Sequence, residues 1–329
     1  MSSSPFRAYP LFTLVSDPDA LPPSLVRPVA AIGNFDGIHR GHTVLMAEAR
    51  AMAERLSAPA AVLTFHPHAR VVARPDAPHF SLCSRFDKAR LIARAGMDGL
   101  IELTFDRALM ALTADAFVES LLVERLGVRG VVVGANFRFG QGRRGDPDFL
   151  QMKGRQFGFD TLVLEPIVID GVTVSSTGVR ERLEAGDMAG AAHLLGYWWF
   201  VRGSVAHGDK RGRDLGFPTA NMVLDPTCRL SHGIYAVRAA VDGRLIDGVA
   251  SFGRRPTFDN GAPFLETHLF DFSGDLYGKE IAVEFVLRLR GEEKFDSANA
   301  LIAQMHRDAS AARDSLAALA NKTPSALLG

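Results

Sequence analysis

Two histidines, His39 and His42, stand three residues apart after a glycine-bearing turn, in the segment Gly33-Asn34-Phe35-Asp36-Gly37-Ile38-His39-Arg40-Gly41-His42. Gly33 and Gly37 allow the backbone to approach a ligand closely. The segment leads into a helical stretch, whose start offers free N–H groups and the positive end of the helix dipole to a phosphate. Residues three apart on a first helical turn share one face. Two imidazoles aimed at a triphosphate can stabilise the charge that builds on a departing pyrophosphate. That chemistry needs positioning and charge neutralisation, not a covalent intermediate. A bare His-x-Gly-His most often marks two surface histidines. An apolar strand, two glycines and a helix start in register favour the phosphate reading instead.

A second cluster lies in Gly208-Asp209-Lys210-Arg211-Gly212-Arg213-Asp214-Leu215-Gly216-Phe217-Pro218-Thr219-Ala220-Asn221. Glycines alternating with Lys210, Arg211 and Arg213 make a cationic loop suited to phosphates. In the strand-like end of this segment Thr219 and Asn221 share a face, because strand side chains alternate. Their hydroxyl and amide carbonyl are hard oxygen ligands, suited to magnesium with phosphate oxygens and water completing its shell. Further on, Glu266 sits in an alternating run with His268 and Phe270 on its own face and Leu265, Thr267 and Leu269 on the other. A carboxylate there can accept a proton from an attacking hydroxyl. Taken alone, Glu266 also reads as an ordinary exposed strand glutamate, and the loop as a solvated basic turn.

The elements needed to hold these groups are legible along the chain. Apolar strands over Val29–Ile32, Ala60–Phe65, Leu100–Leu103, Gly130–Val133 and Thr161–Leu164 alternate with helical stretches over Thr43–Leu56, Lys88–Ala95, Ala114–Leu126 and Asp148–Phe157. This rhythm predicts a parallel sheet with helices on both faces, and ligands at the C-terminal strand ends. After Gly196 the pattern changes to alternating strands. Gly233–Val241 and Arg244–Ser251 flank Asp242-Gly243, a tight-hairpin signal, and Phe264–Phe270, Ile281–Leu289 and a long closing helix, Ser297–Ala318, follow. A small antiparallel barrel with a terminal helix fits. The boundary falls between Gly186 and Tyr197.

Composition narrows the function classes. With 329 residues, two domains are expected. Lys plus Arg and Asp plus Glu both total 37, which argues against a general nucleic-acid binder. Cys83 and Cys228 are too far apart for a zinc or disulfide framework. No apolar run is long enough to span a membrane, and the first residues lack the apolar core of a signal peptide. The chain therefore reads as cytoplasmic. Gly140-Gln141-Gly142-Arg143-Arg144-Gly145 satisfies G-x-G-x-x-G, but it begins several residues after its strand and opens no helix, so it reads as a mobile basic loop over the site.

These motifs carry a resemblance. Gly33–His42 is similar to the signature of the HxGH nucleotidyltransferases, in the form found in bacterial bifunctional riboflavin kinase/FAD synthetases. Thr64-Phe65-His66-Pro67-His68, Gly134-Ala135-Asn136-Phe137-Arg138-Phe139-Gly140 and Ser175-Ser176-Thr177-Gly178-Val179-Arg180 match that family in order. The Gly208–Asn221 segment resembles the riboflavin kinase signature, and Gly233-Ile234-Tyr235, Gly253–Phe258 and Leu265–Lys279 resemble its later motifs. The resemblance implies an α/β nucleotidyltransferase domain with a Rossmann-like parallel sheet (1–190), then a six-stranded antiparallel β-barrel kinase domain with a C-terminal helix (191–329). It implies ATP or phosphate binding by Gly33, Phe35, Asp36, Gly37, Ser176, Thr177 and Arg180, and in the barrel by Gly208, Lys210, Gly212 and Arg213. Flavin contacts fall to His66, Asn136, Arg138, Arg290 and Phe295, and magnesium to Thr219 and Asn221. Catalysis falls to His39, His42 and Glu266. Independently, Ser175 to Thr177 are helix N-cap types, and an arginine one turn later can reach a phosphate. At least one of Phe137 and Phe139 is expected in the core.

The implied activity is riboflavin to FMN, then FMN to FAD, using ATP and Mg2+. Implied partners are flavins and ATP, with no nucleic acid and no membrane; a homo-oligomer and a transient hand-over of FAD to flavoproteins are compatible with the family. Two features depart from its pattern. Gly178 stands where an arginine is common, and Tyr197-Trp198-Trp199 replaces an Arg-Pro-Tyr type of junction. Two other readings are an adenylyltransferase for a pantetheine or nicotinate nucleotide, which leaves the barrel unexplained, and a flavin or nucleotide sensor without turnover.

Overall fold

The computed structural model describes residue 9 and residues 11–206, 216–254 and 263–327. The chain divides into two compact units, one of residues 1–79 and 84–174, the other of residues 80–83 and 175–329.

The first unit is built on six parallel strands: β1 (Thr13–Ser16), β2 (Val29–Ile32), β3 (Ala60–His66), β4 (Gly99–Thr104), β5 (Gly130–Gly134) and β6 (Asp160–Leu164), in the order β1-β4-β3-β2-β5-β6. The five expected strands are present, and β1 adds an edge beside β4. Val29, Ala30, Ala61, Val62, Leu63, Val131 and Val132 have no exposed surface. Such unbroken apolar runs belong to strands covered on both faces. The helix Arg40–Leu56 lies so close to β5 that a methyl group on Gly130 would collide with Met52. From β2 the chain steps outward through β3 and β4, then returns to the other side of β2 for β5 and β6. The ends of β2 and β5 therefore form the topological switch point, where open α/β sheets bind ligands.

The helix expected over Ala114–Leu126 forms, but Phe117–Arg125 winds as a π-helix, and the Leu126 N–H reaches the Leu121 carbonyl at 3.0 Å. A short hairpin, β7 (Val168–Ile169) and β8 (Val172–Thr173), follows β6.

The second unit opens with helices Ser176–Ala185 and Met188–Leu195. Six antiparallel strands follow: β9 (Phe200–Ser204), β10 (Ala220–Val223), β11 (Gly233–Val241), β12 (Arg244–Arg254), β13 (Pro263–Leu269) and β14 (Glu280–Arg290), ordered β10-β13-β12-β11-β14-β9. A bridge between Ala206 and Asn221 joins the two ends, with the Ala206 N–H donating to the Asn221 carbonyl at 2.8 Å. Closure into a barrel removes the open edges a flat sheet would leave. Asp242 (φ 47°) and Gly243 (φ 79°) make the left-handed hairpin turn their sequence predicts.

Tyr235, Phe252, Leu265 and Phe285 fill the barrel core, with Tyr235 and Phe285 edge to face at 5.2 Å. Trp199 packs against Phe285 at 5.3 Å and donates its indole N–H to the Leu82 carbonyl at 2.8 Å. The Trp198 and Trp199 pair is thus buried packing. The helix Ala298–Leu319 is tied to the barrel by Asp308, which accepts two hydrogen bonds from Arg290, at 2.9 and 2.7 Å. No helix among the described residues is long and apolar enough to cross a membrane.

Candidate active sites

The first site forms where β2 ends. Gly33 is held to β3 by a hydrogen bond to the Leu63 carbonyl, 3.1 Å. The next carbonyl, that of Asn34, accepts from Thr64 Oγ1 at 3.1 Å and from Lys88 Nζ at 2.8 Å. The chain then turns through three positive φ angles, Phe35 (47°), Gly37 (81°) and Ile38 (34°). For a non-glycine residue this region costs about 1–3 kcal/mol, and a β-branched isoleucine there is a true outlier. The turn persists because Phe35 and Ile38 are buried, at 1% and 4% exposure, and because the Asn34 peptide is clamped from β3 and from the helix Arg85–Arg94.

This turn starts the helix earlier than sequence periodicity predicts, at Arg40 and not Thr43, with His39 as the N-cap. The His42 N–H donates to His39 Nδ1 at 3.2 Å, and the two rings stack with centroids 3.6 Å apart. Because Nδ1 accepts, the neutral His39 ring carries its proton on Nε2. Burial pushes the His39 pKa down to about 4. Burial lowers His42 well below the usual range too, followed by the charges of His39 and Lys88. Both rings are therefore neutral near pH 7 and act as hydrogen-bonding groups. Two buried polar atoms here, Asn34 Oδ1 and His42 Nδ1, have no hydrogen-bond partner among the described residues. Buried Asp36 faces His79 Nε2 at 3.8 Å, and the His79 ring packs on His68 at 4.1 Å.

A cavity of about 690 Å³ begins at Gly33 and Asn34 and runs along the ends of β3 and β5. Phe65, Phe105, Phe117 and Phe137 give it aromatic walls, and Arg138 and Arg143 line it as well. Asn136 and Arg138, expected on the flavin side, both line it. From Thr64–His68, Phe65 and His68 line it; His66 is an exposed residue at the end of β3. Phe139 is the core member of its pair, packed on Phe117 at 4.9 Å. The loop Gly140–Gly145 contributes to the lining and is pinned, not loose: Phe139 and Gly145 exchange hydrogen bonds of 3.1 and 2.9 Å, and Gln141 N–H reaches the Leu112 carbonyl at 2.6 Å.

Ser175 caps the helix Ser176–Ala185, accepting from the Gly178 N–H at 3.1 Å. Ser176 and Thr177 occupy its first turn, and Arg180 donates through Nε to the Phe80 carbonyl at 2.6 Å. By packing, all three belong to the second unit.

The second site lies on the barrel. Asn221 on β10 is the direct register partner of Glu266 on β13, which also faces Ser251 on β12. Directly opposed residues project to the same face, so strand pairing brings Glu266 beside the Thr219–Asn221 pair. Asn221 is 4% exposed, and Thr219 Oγ1 donates to Asn221 Oδ1 at 3.3 Å. Leu265, Thr267 and Leu269 are buried on the opposite face, as their alternation predicts. A cavity of about 610 Å³ is lined by Thr219, Asn221 and Thr267 and by Phe272, Asp275 and Tyr277 of the following loop. Two hard oxygens this close, at a cavity edge, fit a magnesium ion that takes its other ligands from phosphate and water. Gly208, Lys210, Gly212 and Arg213, with residues 255–258, lie outside the described residues. Arg290 spends its guanidinium on Asp308 and the Gly291 carbonyl, and it sits 5.8 Å from the Phe295 ring centre.

The sequence singles out neither Lys88 nor His79, and His68 only as part of Thr64–His68. Lys88 sits on an ordinary amphipathic helix, and only the fold brings it to the Asn34 carbonyl.

Comparison with known proteins matches both halves of the chain. Residues 22–178 match a family model described as FAD synthetase, and residues 195–316 match one described as riboflavin kinase. The chain is 42% identical to a bifunctional riboflavin kinase/FMN adenylyltransferase of Pseudomonas fluorescens, over 87% of this chain and 92% of that protein. It is 39% identical to one of Escherichia coli (strain K12), with the same coverage, and 34% identical to one of Bacillus subtilis (strain 168), over 85% of this chain and 90% of that protein. A crystal structure from Streptococcus pneumoniae, described as a macrolide-efflux protein, aligns with a TM-score of 0.82 and 29% identity, covering 92% of this chain and 99% of that one. A parallel-sheet unit followed by a barrel unit, with matching relatives along most of the chain, leads to one assignment: the chain belongs to the bifunctional riboflavin kinase/FMN adenylyltransferase family.

Proposed function

We propose the following division of labour for the two activities. Residues 191–329 phosphorylate riboflavin, and residues 1–190 adenylylate the FMN so formed. In the barrel, Glu266 takes the proton of the flavin hydroxyl as its oxygen attacks the γ-phosphorus of ATP, and ADP leaves. Thr219 and Asn221 hold magnesium, which when bound neutralises charge on the phosphate oxygens. Gly208, Lys210, Gly212 and Arg213 bind the ATP phosphates, and Arg290 and Phe295 lie on the flavin side. The register pairing of Asn221 with Glu266 is the observation that carries this reading. It supports the reading by opposing the carboxylate to Asn221, one of the two hard oxygen ligands.

In the α/β unit, an FMN phosphate oxygen attacks the α-phosphorus of a second ATP. The bond to the β-phosphate oxygen breaks, and pyrophosphate leaves with the electron pair. His39 and His42 act as neutral hydrogen-bonding groups toward that developing charge. Gly33, Phe35, Asp36 and Gly37 shape the ATP cradle, and the aromatic cavity takes the flavin, with Asn136 and Arg138 in its wall and His66 at the end of β3. Ser176, Thr177 and Arg180 are assigned to phosphate binding on the strength of the family motif.

Its substrates are small molecules, flavins and ATP, which fits work in the cytoplasm. The experiment that tests the whole reading is incubation of pure protein with riboflavin, ATP and magnesium, followed by chromatography of the flavins. FMN and then FAD are expected, and chelation of magnesium should stop both. Tight flavin binding with neither product would favour a sensor.

A further inference from the structure

The neutrality of the two histidines leaves a question of charge. Adenylyl transfer moves negative charge onto a departing pyrophosphate, and His39 and His42 bring dipoles to it but no net positive charge near pH 7. A fixed cation at the same turn would meet it. Lys88 stands there. It projects from the helix Arg85–Arg94, half-buried, and its ammonium lies 2.8 Å from the Asn34 carbonyl. An ammonium has three N–H donors, and this carbonyl uses one. No carboxylate pairs with Lys88 among the described residues, so its charge is not cancelled locally. Asn34 also lines the flavin cavity, and at this turn its Oδ1 and the Nδ1 of His42 are buried without hydrogen-bond partners among the described residues. The charge of Lys88 is felt at His42.

We propose that Lys88 is the cationic residue of the adenylyl-transfer site, its ammonium meeting phosphate oxygens whose charge grows as the bond between the α-phosphorus and the pyrophosphate oxygen breaks. This rests on the reading of the histidine turn as the transfer site. Anchoring on the Asn34 carbonyl fixes the ammonium in advance, which is what makes a charged group effective in such a site. It also explains why a lysine should be half-buried without a counter-ion: its partner is the substrate.

The test compares Lys88→Met and Lys88→Arg with the parent protein, in FMN adenylylation and, on the same samples, in riboflavin phosphorylation. The methionine variant should lose about 10²-fold in adenylylation kcat with riboflavin phosphorylation unchanged, and arginine should restore most of the loss. A titration with a non-hydrolysable ATP analogue separates the phosphate sources. Weakened analogue binding assigns Lys88 to the ATP phosphates, and a raised KM for FMN alone assigns it to the flavin phosphate. Adenylylation kcat within twofold of the parent in Lys88→Met would overturn the proposal. So would equal losses in both variants with a lowered Tm, since that pattern marks a role in holding the turn alone. If the parent protein itself makes no FAD from FMN and ATP, the reading of the site fails first.

Discussion

The two sites are built in opposite ways. In the α/β unit, ten consecutive residues, Gly33 to His42, supply the turn, the cap and both histidines. In the barrel, Glu266 stands opposite Asn221 only because β10 and β13 pair in one register. A local motif can be recognised before the chain is folded, yet here it is strained and needs outside support. The Asn34 peptide is clamped from β3 and from a separate helix. The non-local site needs no unusual backbone at Asn221 or Glu266. It depends on register, because a shift of one residue would turn Glu266 to the other face.

The largest expected effect separates the sites outright. Glu266→Gln keeps the shape and removes the base, so FMN formation from riboflavin should fall by about 10²–10⁴. FAD formation from supplied FMN should continue at the parent rate. Loss of both activities in a folded variant would mean that the two sites are not independent. His42→Ala is the converse case. It should lower FAD synthesis by about 10²–10³ while FMN accumulates, and chromatography showing undiminished FAD would remove His42 from the mechanism.

A smaller effect probes the support of the local motif. Thr64→Val keeps volume but takes one donor from the Asn34 carbonyl. Chemical denaturation should register a loss of about 1 kcal/mol, with adenylylation reduced more than riboflavin phosphorylation. Equal reduction of both would show that the clamp is not specific to the histidine turn. The smallest effect is on pH dependence. Burial holds the folded His39 pKa at about 4, below the usual 6.5 of a histidine. Below pH 6.5 the unfolded chain takes up a proton that the folded site refuses, so stability falls as pH drops from 6.5 toward 4 and is unaffected by this group above 6.5. Melting curves at pH 7.5 and 5 should show that drop, and His39→Gln should remove part of it.

Much of the fold was legible because burial imposes period and composition. The runs of β2, β3 and β5 are apolar throughout, as strands covered on both faces must be. Asp242-Gly243 announced a hairpin because few residues accept its left-handed angles. The edge strand β1 was not legible, since Thr13–Ser16 is short and alternates between half-buried and exposed residues. In the cavity wall, periodicity gave no reason to choose His68 over His66. The path of the chain after β3 decides which of them lines the cavity.

The sequence by itself determined the histidine turn, the parallel-sheet rhythm, the hairpin and the chemical types of Thr219, Asn221 and Glu266. Each of these depends on neighbours within a few residues, where sterics and hydrogen bonding act locally. Only the tertiary structure decided that Glu266 faces Asn221, that His39 and His42 are neutral, and that Lys88 reaches the Asn34 carbonyl. Register, burial and the approach of a distant helix depend on packing between segments remote in sequence, and that packing settles which groups share a dielectric and a hydrogen bond.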